Sequence, residues 1–383
     1  MTGLADLELI SSFEGGRLYR SGKINVPVLH GSYHRMGRQY GHLLSGELKS
    51  LYMNAVVDHF QRARGLSGDE MDKAAMSLYR FYPRRFKDMI GGMAETSGLS
   101  LREQIMLNAI EFYGLMPGCS GIIAWGDYTK GQALVAGRNY DWFEEYSAFA
   151  QSLTVTVFNP DSGVPNAIIT FAGVIYATTG LNARGLFLEL NNGLPSGGSL
   201  KYNDRVPAIV NLLAALTDCG SLDELDAFFN TTRTEFSFIV NAADRMRGVS
   251  YEWAPFEHRR RDGDAEGLLV STNHFAHPSW GTVLQDQAGF ETVLRRENLL
   301  ALGHERKGRI DPEVMEEILD IPMNEGGATW PVDGSMPYRT TYQIVAVPAS
   351  LLLWLKVPGF QEWTGVGLES LFEEKPQRYS HPS

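Results

Sequence analysis

The periodicity of the chain changes at residue 119, and that change constrains the fold more than any other feature of the sequence. Before it, apolar residues fall at helical spacing, with Met36, Tyr40, Leu44, Leu48 and Leu51 on one stripe. Ser67 with Glu70, and Ser100 with Glu103, have the spacing of capping boxes, in which each side chain satisfies a free amide at a helix start. A short strand-like opening, KINVPVLHG, precedes these helices, and the last of them is expected to end at Gly114, before the loop LMPGCS. Beyond Cys119 the pattern is that of strands: GIIAW, ALVAG, LTVTVF, AIITFAG and GLFLEL, separated by Gly, Asn, Asp and Pro turns. Helical segments VPAIVNLLAALTD and SLDELDAFFN follow, the second with Ser221 and Glu224 as a further capping box. Strands return at FSFIVNAA, GVSYEW and GLLVSTN. Helices are expected from about Thr292 to Leu302 and after Asp311, and TTYQIVAV with LLLWLKV reads as a closing hairpin. Two groups of strands with helices segregated between them predict an α+β sandwich of layers rather than a doubly wound parallel sheet.

Composition narrows the partners. The chain has 383 residues, 44% of them hydrophobic, which suffices for one large core or two moderate ones. Its net charge of −11 and pI near 5.4 argue against nucleic acid, which needs clustered Lys and Arg, and against an anionic membrane. The apolar run ASLLLWLKVPG is too short to span a bilayer. The opening MTGLADLELISSFEGG lacks a basic head and apolar run, so no signal peptide and a cytoplasmic location are expected. Two cysteines, Cys119 and Cys219, make no disulfide framework. With no CxxC, HExxH or Walker-type motif, no metal or organic cofactor is expected. His274 and His277 form an HxxH, but the missing third ligand and the strand-end context favour a structural role. Cys219, at a helix end without companions, reads as a small buried hydrophobe.

Cys119 is different, because it follows a Pro-Gly pair and opens the strand pattern. A thiol becomes a nucleophile when a base takes its proton, and a cation beside it lowers its pKa. None of the nine histidines lies near Cys119 in sequence. Another solution places the cysteine at a chain terminus, where its own α-amine, with a pKa near ~7.7–8.0, is the base. That requires scission of the Gly118–Cys119 bond, and glycine lets a thiol approach the preceding carbonyl closely.

The segments VLHGSYHRMGRQYGHLL, GCSG, GRNYDW, GLNARGLFLELNNG, STNHF and YRTTYQIVAV follow one another in an order that resembles the N-terminal-nucleophile (Ntn) hydrolases. The nearest likeness is to the acyl-CoA:6-aminopenicillanate (isopenicillin-N) acyltransferase family, and more distantly to choloylglycine hydrolases and penicillin V acylases. The resemblance implies a four-layer αββα sandwich of antiparallel sheets preceded by a mostly helical N-terminal segment. It implies a division into residues 1–118, retained after cleavage, and residues 119–383, the catalytic core. Cys119 would be the nucleophile, and Arg138 the cation beside it. Asp141 would orient the new α-amine, and Asn273 would donate to the oxyanion. Asn191 matches a further asparagine, with Asn192 one register away. Arg339 matches the acyltransferase arginine and is preferred, while Arg295, in TVLRREN, matches the choloylglycine hydrolase arginine. The implied reaction is hydrolysis or transfer of an N-acyl group through a Cys119 thioester, without cofactor, on a small-molecule N-acyl substrate. Acyl-CoA is a donor for the transferase version, and a homo-oligomer is compatible with the reading. Two alternatives stand beside it: an uncleaved, non-catalytic Ntn-fold binding protein, and a thiol hydrolase that uses a distant histidine.

Overall fold

The computed structural model describes residues 4–113, 118–196, 204–281, 290–331 and 338–374. The chain begins with strands β1 (Glu8–Phe13), β2 (Gly16–Ser21) and β3 (Ile24–Gly31). Helices α1 (Tyr33–Leu43), α2 (Ser45–Leu51), a π-helical stretch (Tyr52–Ala63), α3 (Gly68–Tyr79), α4 (Arg84–Ser97) and α5 (Leu101–Leu107) follow. Then come β4 (Ser120–Ala124), β5 (Val135–Phe143), β6 (Leu153–Pro160), β7 (Asn166–Phe171), β8 (Thr179–Asn182) and β9 (Phe187–Asn192). After α6 (Ala208–Asp218) and α7 (Leu222–Thr231) the chain forms β10 (Phe238–Ala243), β11 (Gly248–Trp253), β12 (His258–Asp262) and β13 (Leu268–Ser271). It closes with α8 (Thr292–Glu305), α9 (Pro312–Asp320), β14 (Tyr338–Val347), β15 (Leu352–Val357), β16 (Gln361–Gly367) and α10 (Glu369–Glu373).

These strands make two sheets. A ten-stranded sheet runs β1-β2-β3-β6-β7-β8-β9-β10-β11-β12, and a six-stranded sheet runs β13-β4-β5-β14-β15-β16. All pairings are antiparallel except β3 with β6, a parallel pair that the intervening helical block makes possible. The alternation of strand side chains shows how the layers stack. On β4, Ile122 and Ala124 join Met315, Ile318 and Leu319 of α9 and Leu299 of α8 in one apolar cluster. Ile123, one residue out of phase, belongs instead to the larger core between the two sheets. The α+β sandwich expected from the sequence is therefore present, with helices outside each sheet.

The N-terminal segment departs from its reading in one respect. It is helical from Tyr33 onward, and both expected capping boxes, Ser67 with Glu70 and Ser100 with Glu103, are formed. However, it also gives three strands to the larger sheet, where the sequence suggested one. The hairpin β1–β2 turns on Glu14 (φ 48°) and Gly15 (φ 89°), the positive angles of a tight hairpin turn. The Met36–Leu51 stripe is buried throughout, but Leu44 (φ −117°, ψ 23°) divides it into α1 and α2. The expected helix end at Gly114 and the loop Leu115–Pro117 lie outside the described residues.

Helices α1 and α4 cross at close range because they meet on glycines. A Cβ at Gly37 would run into the Met89 carbonyl, and one at Gly92 into the His34 carbonyl. Neither obstacle is a flexible side chain, so the helices would have to separate. Gly37→Val should cost about 1–3 kcal/mol, as overpacking does, and thermal denaturation should show a clearly lower midpoint. An unchanged midpoint would contradict this account of the crossing.

Candidate active site

Register brings the site residues together. In the β4–β5 ladder Ser120 pairs with Asn139 and Gly121 with Arg138, so Cys119 enters β4 beside the segment Arg138–Asp141. Arg138, Tyr140 and Trp142 face the space between the sheets, whereas Asp141 faces α8. Cys119 is fully buried, and Arg138 Nη2 donates toward its sulfur at 3.6 Å. The arginine is held by the Leu190 carbonyl at 2.8 Å, by the Thr178 carbonyl, and by the Tyr140 ring 5.1 Å from its guanidinium. Burial pushes the thiol up to about 11, against the pull of Arg138, so in this state the sulfur carries its proton.

Asp141 and Arg295 form a fully buried ion pair behind the cysteine. Thr340 on β14 donates to the second carboxylate oxygen at 2.7 Å. Arg295 also donates through Nε to the Ala328 carbonyl at 2.9 Å and stacks over Trp330. Burial raises the Asp141 carboxyl to about 6, against Arg295 and Thr340, which leaves it ionised at neutral pH. Arg295 Nη1 is buried without a hydrogen-bond partner among the described residues.

Asn273 follows β13. Its backbone amide donates to Thr292 Oγ1 at 2.8 Å and its side-chain Nδ2 to the Asn192 carbonyl at 2.9 Å, while Oδ1 has no partner among the described residues. Asn191 is buried on β9 with both side-chain amide atoms unpartnered among the described residues, whereas Asn192 uses its Oδ1 to cap the following turn through the Leu194 amide. Of the two registers, Asn191 is the one with a free amide.

The glycines of the GCSG segment have separate explanations. A Cβ on Gly118 would lie 2.7 Å from Asn273 Oδ1 and 2.8 Å from Arg295 Nη1. The residue before the cysteine is thus packed against two of the expected functional groups. A Cβ on Gly121 would overlap the Glu189 carboxylate, which reaches across from β9 and accepts a hydrogen bond from Asn241. Glu189 Oε2 lies 4.0 Å from Arg138 Nε, so this carboxylate is the counter-charge of the arginine beside the thiol.

Arg339, the preferred candidate, stands apart from the other site candidates. Thr340 and Arg339 alternate on β14, and it is Thr340 that faces Asp141. Arg339 points the other way, to Glu144 at 3.1 Å and the Pro358 carbonyl at 3.0 Å. Arg295, the second candidate, is the one that reaches Asp141 and Gly118. Sequence reasoning also passed over Glu189 and Thr340. The period of two gave a signal for Glu189, two residues before Asn191 on the same strand face. His274 bonds Thr292 and His277 bonds Ser279, and no group of three metal-ligating side chains occurs among the described residues. Cys219 is buried at the end of α6, its thiol pushed up to about 12.

Burial also raises Glu189 to about 7 from an ordinary 4.5, against the pull of Arg138. A carboxyl whose folded pKa is raised favours the folded chain below its unfolded pKa and loses that contribution as pH rises through the folded value. The neutral variant Glu189→Gln should therefore gain melting temperature relative to wild type between about pH 5 and about pH 8. Parallel melting curves across that range would refute the assignment.

Among solved structures the chain is similar to an arginine-to-leucine variant of the conjugated bile acid hydrolase from Clostridium perfringens. The identity is 13% and the TM-score 0.50, over 67% of this chain and 95% of that one. The N-acylethanolamine-hydrolyzing acid amidase ortholog of Caenorhabditis elegans is 20% identical with a TM-score of 0.44, over 60% of this chain and 93% of that one. The penicillin V acylase from Agrobacterium tumefaciens is 11% identical with a TM-score of 0.48, over 67% and 88%. The α+β architecture is thus the Ntn-hydrolase fold. No family model matches the chain, and no curated protein matches it.

Proposed function

We propose that this protein is a cysteine amidohydrolase that cleaves its own Gly118–Cys119 bond and then acts on small N-acyl substrates. The observation that carries the reading is the surroundings of that bond: Arg138 lies 3.6 Å from the Cys119 sulfur, and Gly118 is packed against Asn273 and Arg295. The charges that act most on the thiol are Arg138, Asp141 and Arg295, and none is a histidine. This favours a base other than imidazole.

In the activating step the Cys119 sulfur adds to the Gly118 carbonyl carbon as its proton is lost, and the C–N bond breaks with that proton delivered to the departing nitrogen, giving a thioester and a free α-amine. Water then hydrolyses the thioester, leaving Gly118 as a carboxylate. In turnover the α-amine takes the thiol proton while sulfur attacks the substrate acyl carbon, and Arg138 favours the anionic sulfur. The leaving amine takes the proton back, and water resolves the acyl-enzyme. An amine arriving in place of water gives acyl transfer by the same route, and an acyl-CoA would enter as the thioester donor. The asparagine amides of Asn273 and Asn191 serve the oxyanion, a role whose loss typically costs ~10²–10³ in rate.

After scission the residues before Cys119 would remain attached as a separate chain. The parallel pairing of β3 with β6 crosses the cut, and buried Glu111 accepts a hydrogen bond from Tyr140. The structural neighbour named as a conjugated bile acid hydrolase is in keeping with a hydrolytic reaction.

Intact-mass measurement under denaturing conditions should find one fragment ending at Gly118 and one beginning at Cys119, and Cys119→Ala should leave a single chain. Gly118→Ala should slow scission at least about tenfold, because its methyl group must displace Asn273 or Arg295. Hydrolysis of N-acyl reporters by wild-type protein that remains one chain would exclude the α-amine as base.

A further inference from the structure

The end of the N-terminal segment is tied to the strands beyond Cys119 by a row of buried polar contacts. Gln104 in α5 donates to the Gly173 carbonyl at 3.0 Å, and the Asn108 side chain accepts from the Ile175 amide at 2.6 Å. The Tyr146 hydroxyl donates to the Ile110 carbonyl at 3.3 Å. Each of these satisfies a backbone group, as burial requires. The fourth contact is different, because it joins side chain to side chain: Tyr140 on β5 donates to Glu111, in the short turn Ile110–Phe112. Glu111 is 4% exposed, and its Oε2 has no hydrogen-bond partner among the described residues. Burial pushes its carboxyl up to about 7, against the Tyr140 bond. Burying a carboxyl is costly, and an apolar side chain would fill a core position without that cost.

Tyr140 carries the contact onward to the thiol. Its ring lies 5.1 Å from the Arg138 guanidinium, whose Nη2 donates toward the Cys119 sulfur at 3.6 Å. The Thr178 and Leu190 carbonyls hold two nitrogens of that guanidinium, and its plane rests on the Tyr140 ring. The ring also stacks on Tyr342, its register partner on β14, with centroids 4.5 Å and planes 12° apart. Tyr342 is fixed in turn by a hydrogen bond of 3.0 Å between its hydroxyl and that of Thr179. Stacking sets the plane of the Tyr140 ring but lets it slide within that plane. The hydrogen bond to Glu111, at the far end of the phenol, removes that freedom.

We propose that Glu111 is a positioning residue of the active site: it anchors the Tyr140 ring, the ring holds the Arg138 guanidinium, and the guanidinium keeps its bearing on the Cys119 sulfur. The proposal rests on the reading of Cys119 as the nucleophile. It adds that the N-terminal fragment lends a working group to the cut enzyme, beyond staying attached to it.

Labelling of both cysteines with iodoacetamide, quantified peptide by peptide by mass spectrometry, tests this on the purified protein whether or not it is cut. Thiolate is the reacting form. Wild-type Cys119 should label faster than Cys219, whose burial and acidic neighbours Asp218 and Glu224 oppose ionisation. In Glu111→Ala, labelling of Cys119 should slow about threefold or more. A thiol pKa higher by about one unit cuts thiolate about tenfold, and the more basic sulfur recovers part of the loss. Tyr140→Phe should match it, and the double variant should be no slower than either single one, since both remove the same bond. Glu111→Gln keeps an acceptor for the hydroxyl and should label at the wild-type rate or faster. A merely structural Glu111 gives the opposite sign, because a loosened core exposes both thiols and speeds labelling at Cys119 and Cys219 alike. Unchanged or faster labelling of Cys119 in Glu111→Ala overturns the proposal, as do additive losses in the double variant or a Glu111→Gln rate as slow as that of Glu111→Ala. Wild-type Cys119 that labels no faster than Cys219 overturns it too. In an uncut chain that hydrolyses nothing, slower Cys119 labelling in Glu111→Ala would sink the catalytic reading and leave the anchor standing. Turnover of N-acyl reporters by cut protein, with labelling indifferent to Glu111→Ala, would do the reverse.

Discussion

The buried pair of Asp141 and Arg295 is the interaction on which the site depends. It joins β5 to α8, and through Thr340 it fixes the register of β14 against the same carboxylate. Burying two charges is costly, and the pair is tolerable because each partner has further bonds: Thr340 on one side, the Ala328 carbonyl and the Trp330 ring on the other. Removing one partner would leave an uncompensated charge in a dry layer, a loss of about 3–5 kcal/mol in comparable buried pairs. Such an expense is typical of sites where geometry matters more than stability.

A second electrostatic balance lies across the cysteine. Arg138 faces the thiol with one nitrogen and Glu189 with another, so its charge is shared between sulfur and carboxylate. The pocket for Glu189 exists because position 121 carries no side chain. Two glycines flank the cysteine segment for unrelated reasons: one leaves room for the groups around the preceding carbonyl, the other admits a counter-charge from the opposite sheet. The short motif therefore records contacts made by residues far away in sequence.

How much of this was legible in the sequence followed from periodicity. The strands of both sheets that alternate apolar residues, such as LTVTVF and FSFIVNAA, stand where expected, as do the capped helices. The strand β1 escaped because it is exposed along most of its length and its turn is Glu-Gly, not the Asn-Gly that marks a hairpin. The strand β12, HRRRD, escaped because charge hides a strand pattern. At the candidate site, local segments suffice to nominate Cys119, Arg138, Asp141, Asn191 and Asn273, all of which are buried. The choice between Arg339 and Arg295 cannot be made locally, since it turns on which face of β14 meets β5 and on where α8 packs. Pairing register is a tertiary fact, and a one-residue offset exchanges the faces.

The parallel contact between β3 and β6 carries a consequence for the order in which the molecule is made. Strand β3 cannot dock until β6 has left the ribosome, and closing so long a loop is slow. Until then the apolar side chains of Val26, Val28 and Leu29 have only the β1–β2–β3 meander as their sheet. The partners of Cys119 emerge later still, with Glu189, Asn273 and Arg295 all encoded downstream. Nascent chains therefore present the Cys119 thiol without these neighbours through much of translation, and the chemistry proposed for it would wait for the finished fold.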